Sequence, residues 1–191
     1  TIEVRHATDK IESDYRGFAF TPGATLEEEF DSFTPRFTLT WVASDTTTVY
    51  GNLSKGTKPG GFNDPGTDQT TYDEEEAWNF ELGLKKRIME GRGTWNSALF
   101  MINWTDQQLT FNAQRPDGTL TSFIDNVGET SVIGFETELS MNITANWDMT
   151  ANYSFISSEI NEYVTSDQAI LLGCNATAED YYNCIQAKGS V

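Results

Sequence analysis

The feature that most limits what this chain can fold into is a repeated alternation with a period of two. Over residues 33–42, Phe33, Pro35, Phe37, Leu39 and Trp41 share one side and Thr34, Arg36, Thr38 and Thr40 the other. Over residues 78–85, Trp78, Phe80, Leu82 and Leu84 oppose Asn79, Glu81, Gly83 and Lys85. Over residues 147–155, Trp147, Met149, Ala151, Tyr153 and Phe155 oppose Asp148, Thr150, Asn152 and Ser154. This spacing makes a face only on an extended strand, because side chains two apart project to the same side. Each such strand has one apolar and one polar face. A buried parallel sheet would show continuous Val, Ile and Leu runs instead, and there are none. Composition agrees: apolar residues are 38%, low against roughly 45–50% in globular domains, yet aromatics reach 13%.

The strands are joined by connections that alternate in length. Residues 1–20 read as one long strand, followed by a long loop over residues 22–31. Residues 33–42 form a ten-residue strand with Pro35 near its start, since proline cannot donate to a ladder. A tight turn at residues 43–46 leads to a return over 47–55. The connection over residues 56–76, about 20 residues, far exceeds an ordinary hairpin loop. A tight Gly-rich turn at 89–93 precedes a strand over 94–112. Its facing is ambiguous, with Trp95, Leu99 and Met101 competing against Phe100, Ile102 and Trp104, and a bulge would reconcile the two sets. Arg115-Pro116-Asp117-Gly118 is a turn signal. From Ser131, Ile133, Phe135, Leu139 and Met141 oppose Gly134, Glu136, Glu138 and Ser140, and two glutamates on one side cannot face lipid. A short turn at 143–146 and a polar segment from 160 complete the series. Short turns at one end and long loops at the other are the layout of outer-membrane barrels. The fold expected is therefore all-β, an antiparallel up-and-down meander forming part of a transmembrane β-barrel, about seven strands of a larger one.

Charge and motifs remove several functions. The net charge is -17, from 29 acidic and 12 basic residues, which excludes a nucleic-acid backbone as partner because phosphate contacts need Lys and Arg. No stretch approaches the roughly 18 apolar residues of a membrane helix, although barrel strands need only about 9–11 residues each. Residues 1–10 are charged and do not read as a signal peptide. The acidic clusters Glu27, Glu28, Glu29, Asp31 and Asp73, Glu74, Glu75, Glu76 both fall in expected loops, where solvation accounts for them better than cation binding. Asn-x-Ser/Thr occurs at Asn52, Asn103, Asn142, Asn152 and Asn175, but in the first four the middle residue is a sizeable apolar one, as alternation produces when residues two apart share the polar face, so the triplets do not read as glycosylation sites. With His6 the single histidine, no catalytic constellation emerges, so the chain reads as a non-enzyme with no cofactor. Cys174 and Cys184 lack zinc-finger spacing. A disulfide closing a small loop suits them better and implies an oxidising compartment.

Two stretches carry a family resemblance. Tyr50, Ser54-Lys55-Gly56, Lys58-Pro59-Gly60-Gly61-Phe62-Asn63 and Trp78-Asn79-Phe80-Glu81-Leu82-Gly83-Leu84-Lys85 form the first. The run Asn126-Val127-Gly128-Glu129 followed by Gly134-Phe135-Glu136 and Glu138-Leu139 forms the second. Together they resemble the barrel domain of TonB-dependent outer-membrane receptors, with Thr57 and Pro59 departing from the family's usual aromatic and small residues. The resemblance covers most of residues 32–160. It implies that residues 1–191 are part of a barrel of about 22 strands around a plugged lumen, with the plug, signal peptide and final strands lying elsewhere.

What the resemblance implies for function is energised uptake at the bacterial outer membrane. Its partners would be outer-membrane lipid, the TonB energy-coupling complex acting through the plug, and a ligand that is a ferric siderophore, a cobalamin or an oligosaccharide. Lys58, Asn63, Tyr72 and Asn79 are the ligand-binding candidates, polar residues near the outer rim of the lumen. Small loop disulfides such as Cys174–Cys184 fit the family's cell-surface loops. The rival reading is a secreted soluble β-sandwich that binds carbohydrate, in which Phe33, Phe37, Trp41, Trp78 and Phe80 would pack against a second sheet. A passive porin-like channel is a third reading.

Overall fold

The fold was determined as a computed structural model that describes residues 1–15, 23–64, 70–114, 120–162 and 172–173. Seven long strands pair antiparallel, each with its neighbour along the meander. They are β1 (Ile2–Tyr15), β2 (Ala24–Ser44), β3 (Thr47–Lys58), β6 (Glu75–Ile88), β7 (Gly93–Thr105), β10 (Glu129–Thr144) and β11 (Trp147–Glu162). Two small hairpins stand in the long connections: β4 (Gly61–Phe62) with β5 (Thr71–Tyr72), and β8 (Gln108–Gln114) with β9 (Leu120–Asn126). Short turns close one end of the sheet. Asp45–Thr46 and Ala145–Asn146 are turns, and Met89–Gly91 is a single 3-10 turn with Met89 and Glu90 at φ 51 and 56. β1 and β11 are the two edges, so these strands do not close a barrel.

Several expectations from the sequence are corrected. The first acidic cluster is not in a loop: Glu27, Glu28 and Glu29 lie in β2, opposite Glu12, Ile11 and Lys10. β2 therefore runs for 21 residues, not ten. About 9–11 residues suffice to cross a bilayer, so its first half stands clear of the apolar zone, where no alternation is imposed and charged residues are free to pair across strands. The second cluster is divided, with Asp73 and Glu74 preceding β6 and Glu75 and Glu76 inside it.

Pro35 sits in the middle of β2 and not near its start. It is tolerated there because even-numbered residues of β2 bond toward β1: the Thr38 N–H donates to the Thr1 carbonyl, and the Thr1 amino group donates back. Odd-numbered residues therefore point toward β3, whose pairing with β2 ends at Arg36 and Ser54. The missing N–H of Pro35 faces a place where no ladder bond exists to lose.

The long strand expected over 94–112 is two strands. β7 stops at Thr105, Asp106 turns with φ 54, a left-handed conformation that Asp tolerates, and β8 starts a separate hairpin. No bulge is needed, since β7 pairs without a register shift with both β6 and β10. The registers settle its facing. Leu99 lies between Leu82 and Phe135, and Met101 between Phe80 and Ile133, which puts both on the continuous apolar face. Phe100, Ile102 and Trp104 consequently lie on the polar face. The turn at Arg115 to Gly118, and Cys174 and Cys184, lie outside the described residues.

Candidate functional site

On one face the strands align apolar rows. Phe37, Leu53, Phe80, Met101 and Ile133 form one row, and Leu39, Leu82, Leu99, Phe135 and Phe155 form the next, with Gly51 between Leu39 and Leu82. Among the described residues nothing covers this face: Phe37, Leu39, Phe80, Leu82 and Leu99 are all exposed, as are Phe33 and Trp41. A water-soluble sandwich would bury these side chains against a second sheet. Along β6 this face carries Trp78, Phe80, Leu82 and Leu84, then Lys86 at the level of Trp95, then Ile88, and from Trp78 to Ile88 it spans about 33 Å of strand at 3.3 Å per residue. With a tilt of about 40° that becomes about 25 Å, the height of the lipid-facing band of outer-membrane barrels. Toward the short-turn end Trp41, Trp95 and Trp147 mark one border, as an aromatic girdle does. There the Trp95 indole donates to Thr137 Oγ1 (2.9 Å), which also pairs with Ser97 Oγ (2.7 Å). Such pairing is what a hydrocarbon surrounding requires.

The opposite face is polar and carries specific contacts. The Tyr50 hydroxyl donates to Glu81 Oε1 at 2.6 Å, and Lys85 Nζ lies 5.5 Å from the Tyr50 ring centroid. The ring covers Gly83, where any Cβ would overlap it; Phe100 covers Gly134 in the same manner. Glycine at these two positions lets an aromatic lie flat on the backbone, which pins neighbouring strands in register. Glu136 lies between Ala98 and Ser154, and Glu138 between Asn96 and Asn152, on this same face. A cleft of about 410 Å³ runs beside them, lined by Tyr50, Lys85, Glu136 and Glu138.

At the long-loop end the two small hairpins meet, and buried side chains gather there. Phe111 and Val127 are the buried hydrophobic residues among those described, and Phe111 stacks at 5.6 Å on Phe123. Polar side chains join the two connections, Asn63 and Glu75 buried and Asn126 and Gln108 half-buried. Asn63 is 7% exposed; its amide donates to the Ile124 carbonyl and accepts from the Ile124 N–H, both at 2.7 Å. Asn126 donates to the carbonyls of Asp73 (2.8 Å), Asp106 (3.0 Å) and Glu74 (3.3 Å), and accepts from the Asp73 N–H (2.6 Å). Gln108 donates from its side chain to Pro59 and Asp73 carbonyls, and from its backbone to Glu75 Oε2 at 2.9 Å. Glu75 is itself buried and meets Lys58 at 3.8 Å.

The structure separates the four candidates named from the sequence. Lys58 ends β3 with its side chain exposed beside Glu75. Asn79 lies half-buried in β6 between Ser54 and Ile102 on the polar face. Tyr72 pairs with Gly61 in the β4–β5 hairpin, its ring against that glycine. Asn63 is turned into the joint between the hairpins. The partners Asn126 and Gln108 were missed. Asn126 heads the Asn126-Val127-Gly128-Glu129 run, but alternation says nothing about a side chain that bonds to backbone in another loop.

Beside the joint, Lys55 Nζ is bonded to Glu76 Oε1. Glu74 Oε2 is buried without a hydrogen-bond partner. Burial pushes the Glu74 carboxyl above the usual carboxylate range, against the opposing pull of Lys55 and with the neighbouring Glu76 adding to the rise.

The chain matches the family described as TonB dependent receptor-like, beta-barrel, over residues 2–181. It is 27% identical over 164 residues to the probable TonB-dependent siderophore receptor PiuA of Acinetobacter baumannii, covering 81% of this chain and 21% of that protein. It is 28% identical over 142 residues to the metal-pseudopaline receptor CntO of Pseudomonas aeruginosa, covering 73% of this chain and 18% of that one. Its fold matches the crystal structure of the ferric yersiniabactin uptake receptor FyuA from Yersinia pestis with a TM-score of 0.68, at 22% identity over 83% of this chain and 24% of FyuA. The crystal structure of PiuA gives 0.63, at 24% identity over 84% and 23%. The chain thus spans about a fifth of the length of the relatives it matches. With an uncovered apolar face, a seven-stranded meander and long loops at one end, it belongs to the TonB-dependent receptor β-barrel family.

Proposed function

We propose that this chain forms wall and cell-surface loops of an outer-membrane receptor that takes up a ferric or other metal siderophore by TonB-dependent transport. The observation that carries the reading is the family match over residues 2–181, together with relatives whose names specify siderophore and metal-chelate receptors. The apolar band faces lipid, the polar face lines the lumen, and the long-loop end lies outside the cell. In this scheme the remainder of the receptor supplies the plug that the energy-coupling complex pulls. Lys58, Tyr72 and Asn79 contribute ligand contacts, and Asn63 acts indirectly by holding the loops in place. A cobalamin or oligosaccharide ligand has no support in the names of these relatives.

The test is growth and uptake by the host under iron starvation. Deleting the receptor gene should abolish uptake of radioactive iron carried by one member of a panel of catecholate, hydroxamate and phenolate siderophores. Restoring the gene should recover it only in cells with a working TonB. Undiminished uptake of every panel member in the deletion strain, with cobalamin or an oligosaccharide lost instead, would overturn the siderophore reading.

A further inference from the structure

The two stretches that carry the family resemblance, residues 50–85 and 126–139, meet at one point in the structure. Asn126 heads the second, and the backbone groups it binds, Asp73 and Glu74, lie in the connection belonging to the first. Its amide is the centre of a joint. The amino group reaches three carbonyls from two connections while the carbonyl oxygen takes the Asp73 N–H. Asn63 makes the reciprocal connection, gripping both backbone groups of Ile124 in β9 as a paired strand would. Gln108 and Glu75 tie the start of β8 to the end of β3 and the start of β6. Phe111 and Val127, the most buried apolar residues described, lie in the same region. Asn63 and Glu75 are buried, so a group released at either loses its partner and does not gain water, while Asn126 and Gln108 are half-buried and act through the number of backbone groups each one holds.

We propose that this joint makes the connection at residues 59–64 and 70–74 and the β8–β9 hairpin one rigid body, with Asn126 and Asn63 as its positioning residues. The ligand then meets a capture surface assembled in advance, and not two loops ordered separately on binding. That advantage is one of preorganisation: ordering cost is met during folding and does not reduce affinity. This proposal rests on the reading that the long-loop end captures ligand, but the coupling of the two loops can be measured with no ligand present.

Hydrogen exchange on the full receptor in detergent reads the coupling. Peptides covering 59–64, 70–74 and 106–114 with 120–128 should exchange with a common opening rate in the unsubstituted protein. N126D is isosteric but replaces a donor with an acceptor facing three carbonyls. It should speed exchange in both connections by about tenfold or more, leaving peptides of β6 and β7 unchanged. N63A enters the joint from the other loop and should give the same paired pattern. Heat-modifiable gel mobility reports whether each variant forms its barrel, and unequal opening rates in the unsubstituted protein overturn the proposal without any variant. Acceleration confined to the substituted loop overturns it as well.

Uptake of the radioactive-iron-loaded siderophore extract from the host's own starved culture provides the functional arm. N126D should raise the half-saturating concentration at an unchanged maximal rate. A fall in maximal rate at unchanged half-saturation overturns the positioning role. If the unsubstituted receptor takes up none of the extract, the siderophore reading fails while the exchange result still decides the joint.

Discussion

Placing an arginine on either side of β7 tests which face meets lipid. Leu99 sits between Leu82 and Phe135 on the apolar face, and Ala98, its neighbour in sequence, sits between Gly83 and Glu136 on the polar one. Leu82 lies four residues from Trp78 and six from Ile88, the outermost apolar residues on that face of β6. At 3.3 Å per residue and a tilt of about 40° this places the Leu99 side chain about 10 Å from one border and about 15 Å from the other. An arginine near the midplane of a barrel's lipid face costs about 2–4 kcal/mol, a shift of about thirty- to a thousandfold in the folding equilibrium. Ala98→Arg, at the same depth, opens onto the cleft beside Glu136 and gains an opposite charge across the strand pair, so its cost should stay below about 1 kcal/mol. Urea titration of the full receptor folded into lipid vesicles, followed by gel mobility, measures both. A Leu99→Arg variant as stable as the parent, with Ala98→Arg strongly destabilised, would refute the assignment of faces and the lipid contact derived from it.

Three further outcomes follow from the contacts described. Gly134→Ala should cost about 1–3 kcal/mol by forcing the Phe100 ring off the backbone, and Phe100→Ala in the same chain should recover part of that loss in a double-mutant cycle; simple additivity would disprove the contact. Glu75→Ala removes the buried carboxylate that accepts from the half-buried Gln108 N–H and should destabilise the loop joint by about 1–3 kcal/mol, read as faster exchange at Gln108 with the barrel strands unaffected. Because the folded-state pKa of Glu74 is raised by burial, the folded loop holds the proton more tightly than the unfolded chain. Its stability should therefore fall as pH rises from the usual carboxylate range through that raised value. Glu74→Gln should remove this dependence and stabilise the loop at neutral pH, and a pH profile identical to the parent's would show that Glu74 does not carry the effect.

Much of the barrel wall could be read directly from the order of residues, because alternation is a local property. A side chain's side of a strand is set by its own backbone, so Phe37, Leu39, Trp41, Phe80, Leu82, Met149 and Phe155 declared a common face without reference to any partner. The uneven lengths of the connections showed which end of the meander carries loops. Three things were decided only by the tertiary structure. The first is the facing of β7, where both sides are apolar and only register against Leu82 and Phe135 chooses Leu99 over Phe100. The second is the extent of strands beyond the apolar band: Glu27, Glu28 and Glu29 pair in β2 because backbone hydrogen bonds continue where lipid no longer imposes a pattern. Third, the joint of Asn63, Gln108 and Asn126 left no trace in periodicity, because a side-chain amide that bonds to backbone in a distant loop depends on where folding brings that loop. Periodicity records the solvent each face meets, whereas the joint depends on contacts between residues 61 positions apart at Asn63 and Ile124, which only the assembled sheet brings together.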